Sequence, residues 1–319
     1  MAKDDVISRF IDTGYERMAA SSACICALAR DCAPALLKNL PVLDNLGARF
    51  KTANVVVVEN DSKDGTKDVL RAWAAGRPHI TLFLEDFNTQ TVPHALSTTA
   101  NPSFSRLRIE KLAGYRNRYL EYARTLQTLD YVIVLDLDLH RVPIEGIAHA
   151  FGQGIPWDAQ FANGRISDPC RPQLGDFYWD VYAFWELGDS TPQTEAKMAR
   201  YWESLQPLQK GMPLIAVQSA FGGLGIYRWD ALRQHRYGVE DNADSSVEVI
   251  VEHTYLHRRM IEAGHVRLFI NPSMVVYYNK PRSPIALRAE RLADIVRRHG
   301  IAGAAAKIAS RLALGTGRE

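Results

Sequence analysis

No stretch of this sequence approaches the ~18–20 consecutive apolar residues that a membrane-spanning helix needs. Residues 1–20 alternate charged and apolar positions like an amphipathic helix and lack the continuous apolar core of a secretory signal. Charge of one sign is also missing. Lys and Arg total 38 against 36 Asp and Glu, for a net charge of +2. The cations are spread along the chain, so nucleic-acid binding has no compositional support. Cysteine is scarce: Cys24, Cys26, Cys32 and Cys170 are the full set, with no paired Cys-x-x-Cys, which argues against zinc and for buried, reduced thiols. No Gly-x-Gly-x-x-Gly opens a helix, which counts against a dehydrogenase. Repeats, low-complexity tracts and clear linkers are absent. The expectation is a cytoplasmic protein with one main domain over 22–282, preceded by a helix over 1–21 and followed by a helical tail over 283–319. That tail is alanine-rich with Lys307 and Arg311. Packing on its own domain or fraying is the expectation, and peripheral contact with the inner face of a membrane is the alternative.

The chain does have enough apolar residues for a large core, 47% of 319. Strand and helix patterns alternate through its first half. Ala23–Ala29, Asn54–Glu59 and Ile80–Leu84 read as strands, and Pro34–Phe50, Lys67–Ala75 and Leu107–Leu129 as helices. This rhythm predicts a mostly parallel sheet with helices on both faces, whose ligands sit outside the carboxyl ends of the strands. The second half is less regular. Residues 152–190 are rich in Gly, Pro and aromatics. Helices are expected near Glu195–Leu205 and His253–Ala263, and strands at Val266–Ile270 and Met274–Tyr278.

The segment from Val132 to Leu139 carries the strongest chemical signal. An apolar strand runs into Asp136-Leu137-Asp138. Strand alternation puts the two carboxylates on one face, where they repel each other. A divalent cation relieves that repulsion, and Mg²⁺ is commonly held by one or two carboxylates together with substrate phosphates. The expectation is a Mn²⁺ or Mg²⁺ site for a diphosphate, with Asp136 and Asp138 as ligands. An acidic, solvated turn is the plain alternative. The second strand ends in Glu59-Asn60-Asp61-Ser62-Lys63-Asp64-Gly65-Thr66, a tight strand–turn–helix connection in which Thr66 can cap the helix. It lies at the same sheet edge as the first-strand loop Ala29-Arg30-Asp31. Amide and carboxylate groups there can read a nucleoside by hydrogen bonds.

Together these segments resemble a nucleotide-sugar glycosyltransferase of the GT-A fold. The wording Glu-Asn-Asp-Ser-x-Asp-Gly-Thr with Leu-Asp-Leu-Asp-Leu is similar to the fungal capsule-associated α-1,3-mannosyltransferase family and its bacterial relatives, over roughly residues 22–282. The resemblance implies that Asp136 faces ribose and metal and that Asp138 ligates the metal. It sets Glu59, Asn60 and Asp61 against the nucleoside, with Ala29, Arg30 and Leu137 grouped among the donor contacts. The commonest GT-A wording here is Asn-Asp-Gly-Ser, so which of the three acidic and amide residues meets the base stays open. Arg116, in an Arg-Asn pair matching one that borders the donor site, suits a phosphate or a carboxylate, with a surface arginine on an amphipathic helix as the other reading. Gly222 and Gly223 lie in a run resembling the Gly-rich pocket segment, with a bulged strand as the other reading. Glu252 occupies the place of an acidic residue facing the acceptor. Asp180, amid the aromatics Phe177–Trp185, is a candidate for shaping that site, and a plain core cluster is its alternative. His253 and His257 are expected at the surface or capping a helix.

The resulting expectation is a metal-dependent hexosyltransferase with catalytic residues Asp136, Asp180 and Glu252. The donor implied by the resemblance is GDP-mannose, the acceptor a glycan or lipid-linked glycan, and the setting capsule or surface polysaccharide synthesis with retention of configuration. A Mg²⁺-dependent nucleotidyltransferase and a noncatalytic carbohydrate-binding protein are the alternatives. The first lacks a Gly-rich, Lys-containing loop after strand one. The second leaves Asp-x-Asp unexplained.

Overall fold

The computed structural model of the chain describes residues 3–89, 101–167, 176–243 and 247–279. Cys170 and the tail expected from Pro284, with its proposed membrane contact through Lys307 and Arg311, lie outside the described residues. In chain order the elements are α1 (Lys3–Ala19), β1 (Ser22–Ala29), α2 (Ala33–Gly47), β2 (Thr52–Asn60), α3 (Thr66–Ala74), β3 (Ile80–Glu85), a 3-10 turn (Pro102–Phe104), α4 (Arg106–Thr125), β4 (Tyr131–Asp136), α5 (Ile144–Phe151), β5 (Ala159–Ser167), β6 (Asp176–Tyr178), β7 (Trp185–Glu186), α6 (Glu195–Ser204), β8 (Ile215–Ser219), β9 (Leu224–Arg228), α7 (Trp229–Leu232), β10 (Glu240–Asp241), β11 (Val249–Ile250), α8 (Glu252–Glu262) and β12 (Leu268–Tyr277).

One sheet organises the molecule, in the order β3-β2-β1-β4-β9-β5-β12-β8-β7, with β6 added to β5. The expected parallel block is β3, β2, β1 and β4. Its strands divide their side chains between two cores with period two. Cys24, Cys26, Val56, Val58, Val132 and Val134 meet α4 on one face. Ile25, Ala27, Val55, Val57, Ile133 and Leu135 meet α2 and α5 on the other. The architecture is therefore α/β with helices on both faces of a largely parallel sheet. In the second half the sheet becomes mixed. β9 runs antiparallel to both β4 and β5, while β12 is parallel to β5.

Register aligns the carboxyl ends that build the site. Leu28 of β1 sits opposite Asp136 of β4, and Ala29 opposite Glu59 of β2. Several elements depart from their expected form. The two strands expected at Val266–Ile270 and Met274–Tyr278 are one strand, β12, with a register shift between Asn271 and Val275. Pro272 cannot donate to the ladder, and Asn271 Oδ1 accepts instead from the Ser273 amide at 3.0 Å, so the strand bulges rather than stops. Helix α5, too short to show a clear period, had no sequence expectation. It is the seat of α1. A Cβ on Gly14 would fall 1.7 Å from the Ala148 carbonyl oxygen, and one on Gly152 1.8 Å from that of Phe10. The two helices thus touch backbone to backbone where only glycine fits. Arg17 Nη1 closes the contact by donating to the Phe151 carbonyl at 2.8 Å.

Candidate active site at the carboxyl edge of the sheet

A cavity of about 910 Å³ opens over the carboxyl ends of β1, β2 and β4, walled by one face of α4, the start of α8 and the β6–β7 segment. Of the residues expected in a site, Ala29, Arg30, Asn60, Arg116, Asp136, Asp138, Asp180 and Glu252 line it.

Strand β4 ends at Asp136, and Leu137 and Asp138 form a turn. Strand alternation is therefore not what brings the two carboxylates together; the turn does. Leu137 leaves the cavity altogether, its side chain buried in the α2-side core. The backbone of this turn is pinned from behind. Asn39 of α2, buried among leucines, donates through Nδ2 to the carbonyls of Leu137 and Leu139, each at 2.8 Å. From the other side Tyr278 donates to Asp138 Oδ2 at 2.9 Å, and its ring stacks on Trp179 at 4.4 Å. The Asp136 amide donates to the Gly223 carbonyl at 3.0 Å.

Gly222 and Gly223 serve this packing. Both have positive φ, 65° and 85°, and a Cβ on Gly222 would lie 2.5 Å from the Ala162 carbonyl. They let the turn before β9 press against β5, and neither lines the cavity.

Arg116 is the hub of the cavity floor. Its Nε donates to Glu252 Oε1 at 2.9 Å, its Nη1 to Tyr119 at 3.3 Å, and its Nη2 lies 3.6 Å from Asp136 Oδ1. The guanidinium also covers the Phe221 ring at 5.1 Å. Asn117, its neighbour, is spent on structure, exchanging two hydrogen bonds with the Tyr237 backbone at 2.9 Å each. Glu252 opens α8, where a helix N-terminus favours negative charge. It is 1% exposed, and its Oε2 has no hydrogen-bond partner among the described residues.

The acidic groups crowd one another. Burial pushes the Asp136 carboxyl up to about 7; Arg116 opposes the shift, while Asp138, Asp180 and Glu252 add to it. Asp180, in the left-handed region at φ 74°, is raised to about 6 by burial and by Glu252. This donor set fits a hard divalent cation. Two carboxylates face a cavity with room for a diphosphate, and the neighbouring negative charge favours a cation there. Among the described residues no group of three or more His, Cys, Asp or Glu forms a self-sufficient metal site. Such a cation would therefore rely on substrate oxygens.

The turn after β2 divides its labour. Asn60 faces the cavity. Glu59 is fully buried, accepting from the Ser62 amide at 2.9 Å with Lys67 Nζ 3.5 Å away. Asp61 accepts from Asn60 Nδ2 at 3.0 Å, the Thr89 hydroxyl at 2.7 Å and the Asn88 amide at 2.7 Å, and these bonds hold its carboxyl well below the usual range despite its burial. Glu59 and Asp61 thus shape the edge without lining the cavity. Thr66 does not cap α3. The N-cap is Gly65, and the Thr66 hydroxyl accepts from the Cys32 amide at 2.9 Å, tying this turn to the first-strand loop. Asp64 adds to the tie by accepting from the Ala33 amide at 2.9 Å. His253 and His257 are buried, not at the surface. His257 bridges Ser219 at 2.8 Å and Tyr227 at 3.0 Å, and His253 stacks on Phe221 at 3.9 Å.

Asn39, Arg108, Lys111 and Tyr278 lie outside the sequence expectations, whereas Trp179, which lines the cavity, belongs to the expected aromatic run Phe177–Trp185. Asn39 had a visible signal, a lone amide on the Leu36–Leu40–Leu43 stripe. Tyr278 had none, since it meets Asp138 across 140 positions.

No protein-family model and no curated protein matches the chain. Among solved structures it is similar to a mannosyltransferase of Pyrobaculum calidifontis in complex with GDP-Man and Mn²⁺, with 16% identity and a TM-score of 0.43 over 99% of this chain and 86% of that one. It is similar to glucosyl-3-phosphoglycerate synthase from Mycobacterium tuberculosis in complex with Mn²⁺, UDP and glucosyl-3-phosphoglycerate, with 12% identity and a TM-score of 0.44 over 92% and 82% of the two chains. A third is residues 1–349 of S. aureus TarS in complex with UDP-GlcNAc, with 13% identity and a TM-score of 0.43 over 84% of this chain and 61% of that one.

Proposed function

We propose that the chain is a metal-dependent glycosyltransferase of the GT-A kind, moving a sugar from a nucleotide diphosphate donor to a glycan or lipid-linked glycan acceptor. Mannose from GDP-mannose is the favoured donor, and capsule or surface polysaccharide synthesis the favoured setting. The observation that carries this reading is the pairing of Asp136 and Asp138 on one cavity with Arg116 and Glu252 on its floor. The sequence likeness of the Glu59–Thr66 turn and Leu135–Leu139 to the capsule-associated mannosyltransferases supplies the choice of sugar.

In this reading Asn60 and the Ala29–Arg30 loop receive the nucleoside, and Asp136 and Asp138 hold Mn²⁺ or Mg²⁺. When bound, that ion supplies neutralisation of the charge gathered on the departing diphosphate. Arg116 fixes Glu252 through Oε1 and leaves Oε2 to accept from an acceptor hydroxyl. Asp180 faces the same space. Both carboxylates favour the positive charge that develops at an oxocarbenium-like anomeric carbon. Glu252 is a positioning and electrostatic group here, consistent with transfer that retains configuration. An inverting enzyme would instead use it as general base.

Calorimetry with GDP, UDP and nucleoside triphosphates, each with and without Mn²⁺, tests the class. Metal-dependent diphosphate binding is expected. A preference for triphosphates would favour a nucleotidyltransferase, and glycan binding without nucleotide a carbohydrate-binding protein. A donor hydrolysis screen across nucleotide sugars then reads the sugar, and proton NMR of the product anomer reads the stereochemistry. A β-mannoside formed from GDP-α-mannose overturns retention.

A further inference from the structure

The cavity wall carries the cationic side chains Arg30, Arg108, Lys111 and Arg116, and they fall into two kinds. Arg30 and Arg116 are committed to carboxylates. Arg30 Nη1 lies 3.7 Å from Asp61, and Arg116 Nε 2.9 Å from Glu252. Arg108 and Lys111 are not committed. Among the described residues neither forms an ion pair, and Lys111 forms no hydrogen bond through its ammonium group. They stand three positions apart on α4 and so share the helix face that lines the cavity. Arg108 Nη1 donates to the Ser103 carbonyl at 3.1 Å, which fixes the plane of the guanidinium, while its Nε is buried without a partner among the described residues. Buried donors are rarely left unmatched.

They stand on α4 rather than at the strand ends that carry Ala29 and Asn60, and Arg108 is tethered to the Pro102–Phe104 turn. The charge of Arg108 bears on Asp180 and Tyr182 of the β6–β7 segment and on Tyr278. On that side Trp202 of α6 also lines the cavity, 41% exposed, a flat apolar surface of the kind that sugar rings cover.

We propose that Arg108 and Lys111 form an anion-binding subsite for the acceptor, which is therefore a sugar or glycan bearing a phosphate or a carboxylate. This rests on the reading of the cavity as a glycosyl-transfer site. The donor's phosphates are met at the Asp136–Asp138 end, and Arg108 and Lys111 are left for a second anion. A guanidinium held in plane suits two oxygens of one anionic group, and the ammonium adds a point charge beside it.

The test is calorimetric, with the donor site filled by saturating GDP and Mn²⁺. Mannose 6-phosphate, glucuronate and mannose are titrated into the wild-type protein, Arg108→Gln and Lys111→Gln. At least one anionic sugar should bind about tenfold or more tighter than mannose, and each substitution should remove about tenfold of that preference. GDP affinity should stay unchanged. The phosphate and carboxylate arms identify which anion the subsite takes. Equal binding of all three sugars, or a loss of GDP affinity in Lys111→Gln, overturns the proposal, the second by assigning these cations to the donor. Lys111→Gln leaves the Ser103 tether intact, so it remains informative if Arg108→Gln misfolds. If the wild-type protein binds no nucleoside diphosphate, the transferase reading fails. The same sugar titrations without nucleotide still decide the subsite: a preference lost in Lys111→Gln sustains it, and no preference ends it.

Discussion

Asp138 accepts from the Tyr278 hydroxyl and lines the cavity. In the proposed chemistry Asp138→Asn removes the charge that attracts the cation while keeping the Tyr278 contact. Mn²⁺-dependent diphosphate binding should collapse, with the thermal midpoint nearly unchanged. Undiminished GDP affinity in that variant would remove the metal role. Tyr278→Phe is subtler. It leaves the carboxylate but frees its orientation, and loss of such a supporting hydrogen bond typically costs 10–100-fold in metal affinity. A drop of about tenfold in Mn²⁺ affinity is expected, read from the metal dependence of GDP binding. Asn60→Ala should raise the donor KM and leave the acceptor KM alone; the reverse pattern would move this residue to the other subsite. At this scale the sequence was readable where chemistry repeats locally. Asp-x-Asp, the Glu59–Thr66 turn, Arg116 and Glu252 are short motifs, and the cavity gathers a member of each. Glu59, Asp61 and Leu137 sit in the same motifs yet face inward. A motif records which residues are needed at an edge, not which of them holds the backbone and which faces the ligand.

Among the elements, α2 does more than cover the sheet. Through Asn39 it sets the height of the 137–139 turn, so a substitution there should act on the metal end from behind. Asn39→Leu removes two hydrogen bonds and leaves two buried carbonyls unmet, a cost of about 2–4 kcal/mol by denaturant unfolding. A matching loss of Mn²⁺-dependent binding is expected even under conditions where the variant is folded. A change of less than about 0.5 kcal/mol would mean that water replaces the amide. Helix α1 is a different case. Its amphipathic pattern was legible, but its partner was not, because α5 is short and its contact surface is backbone rather than side chain. Gly14→Ala places a methyl group into the Ala148 carbonyl, and limited proteolysis should then cut near residue 20 faster than in the wild-type protein. Likewise the Asn271-Pro272-Ser273 bulge reads as a strand break in sequence, and only pairing with β5 on both sides reveals one strand.

For the whole molecule, acid is the condition that exposes buried chemistry. Burial holds His149 down to about 4 and His257 to about 3, against an ordinary value of 6.5. Both are neutral in the fold, and the unfolded chain takes up protons that the folded chain refuses. Their contribution to stability is therefore whole above pH 6.5 and declines as pH falls from there toward 4 and 3. For each the full loss is on the order of 3–5 kcal/mol at 1.4 kcal/mol per pH unit. Asp136 and Asp180, raised to about 7 and about 6, act in the opposite sense over the same range, so the histidine share is read as a difference between proteins. Between pH 6.5 and pH 5 the urea midpoint of His149→Gln should rise relative to that of the wild-type protein. Parallel profiles for the two would show that His149 takes no part. The global topology was half legible. Strand–helix alternation announces a parallel block because each crossover is local. β9 enters the centre of the sheet from far along the chain and carries no mark of its neighbours.

That insertion of β9 has a consequence in time as well as in space. During synthesis the parallel block through β4 emerges from the ribosome with its β4 edge bare. That edge remains unpaired until residues 224–228 have been made and have cleared the exit tunnel. The same residues bring the Gly223 carbonyl that receives the Asp136 amide. An exposed edge of apolar strand is a template for misplaced pairing. The nascent chain thus carries an adhesive margin for much of its translation, and the carboxylates at that margin gain their working geometry only when the late strand closes it.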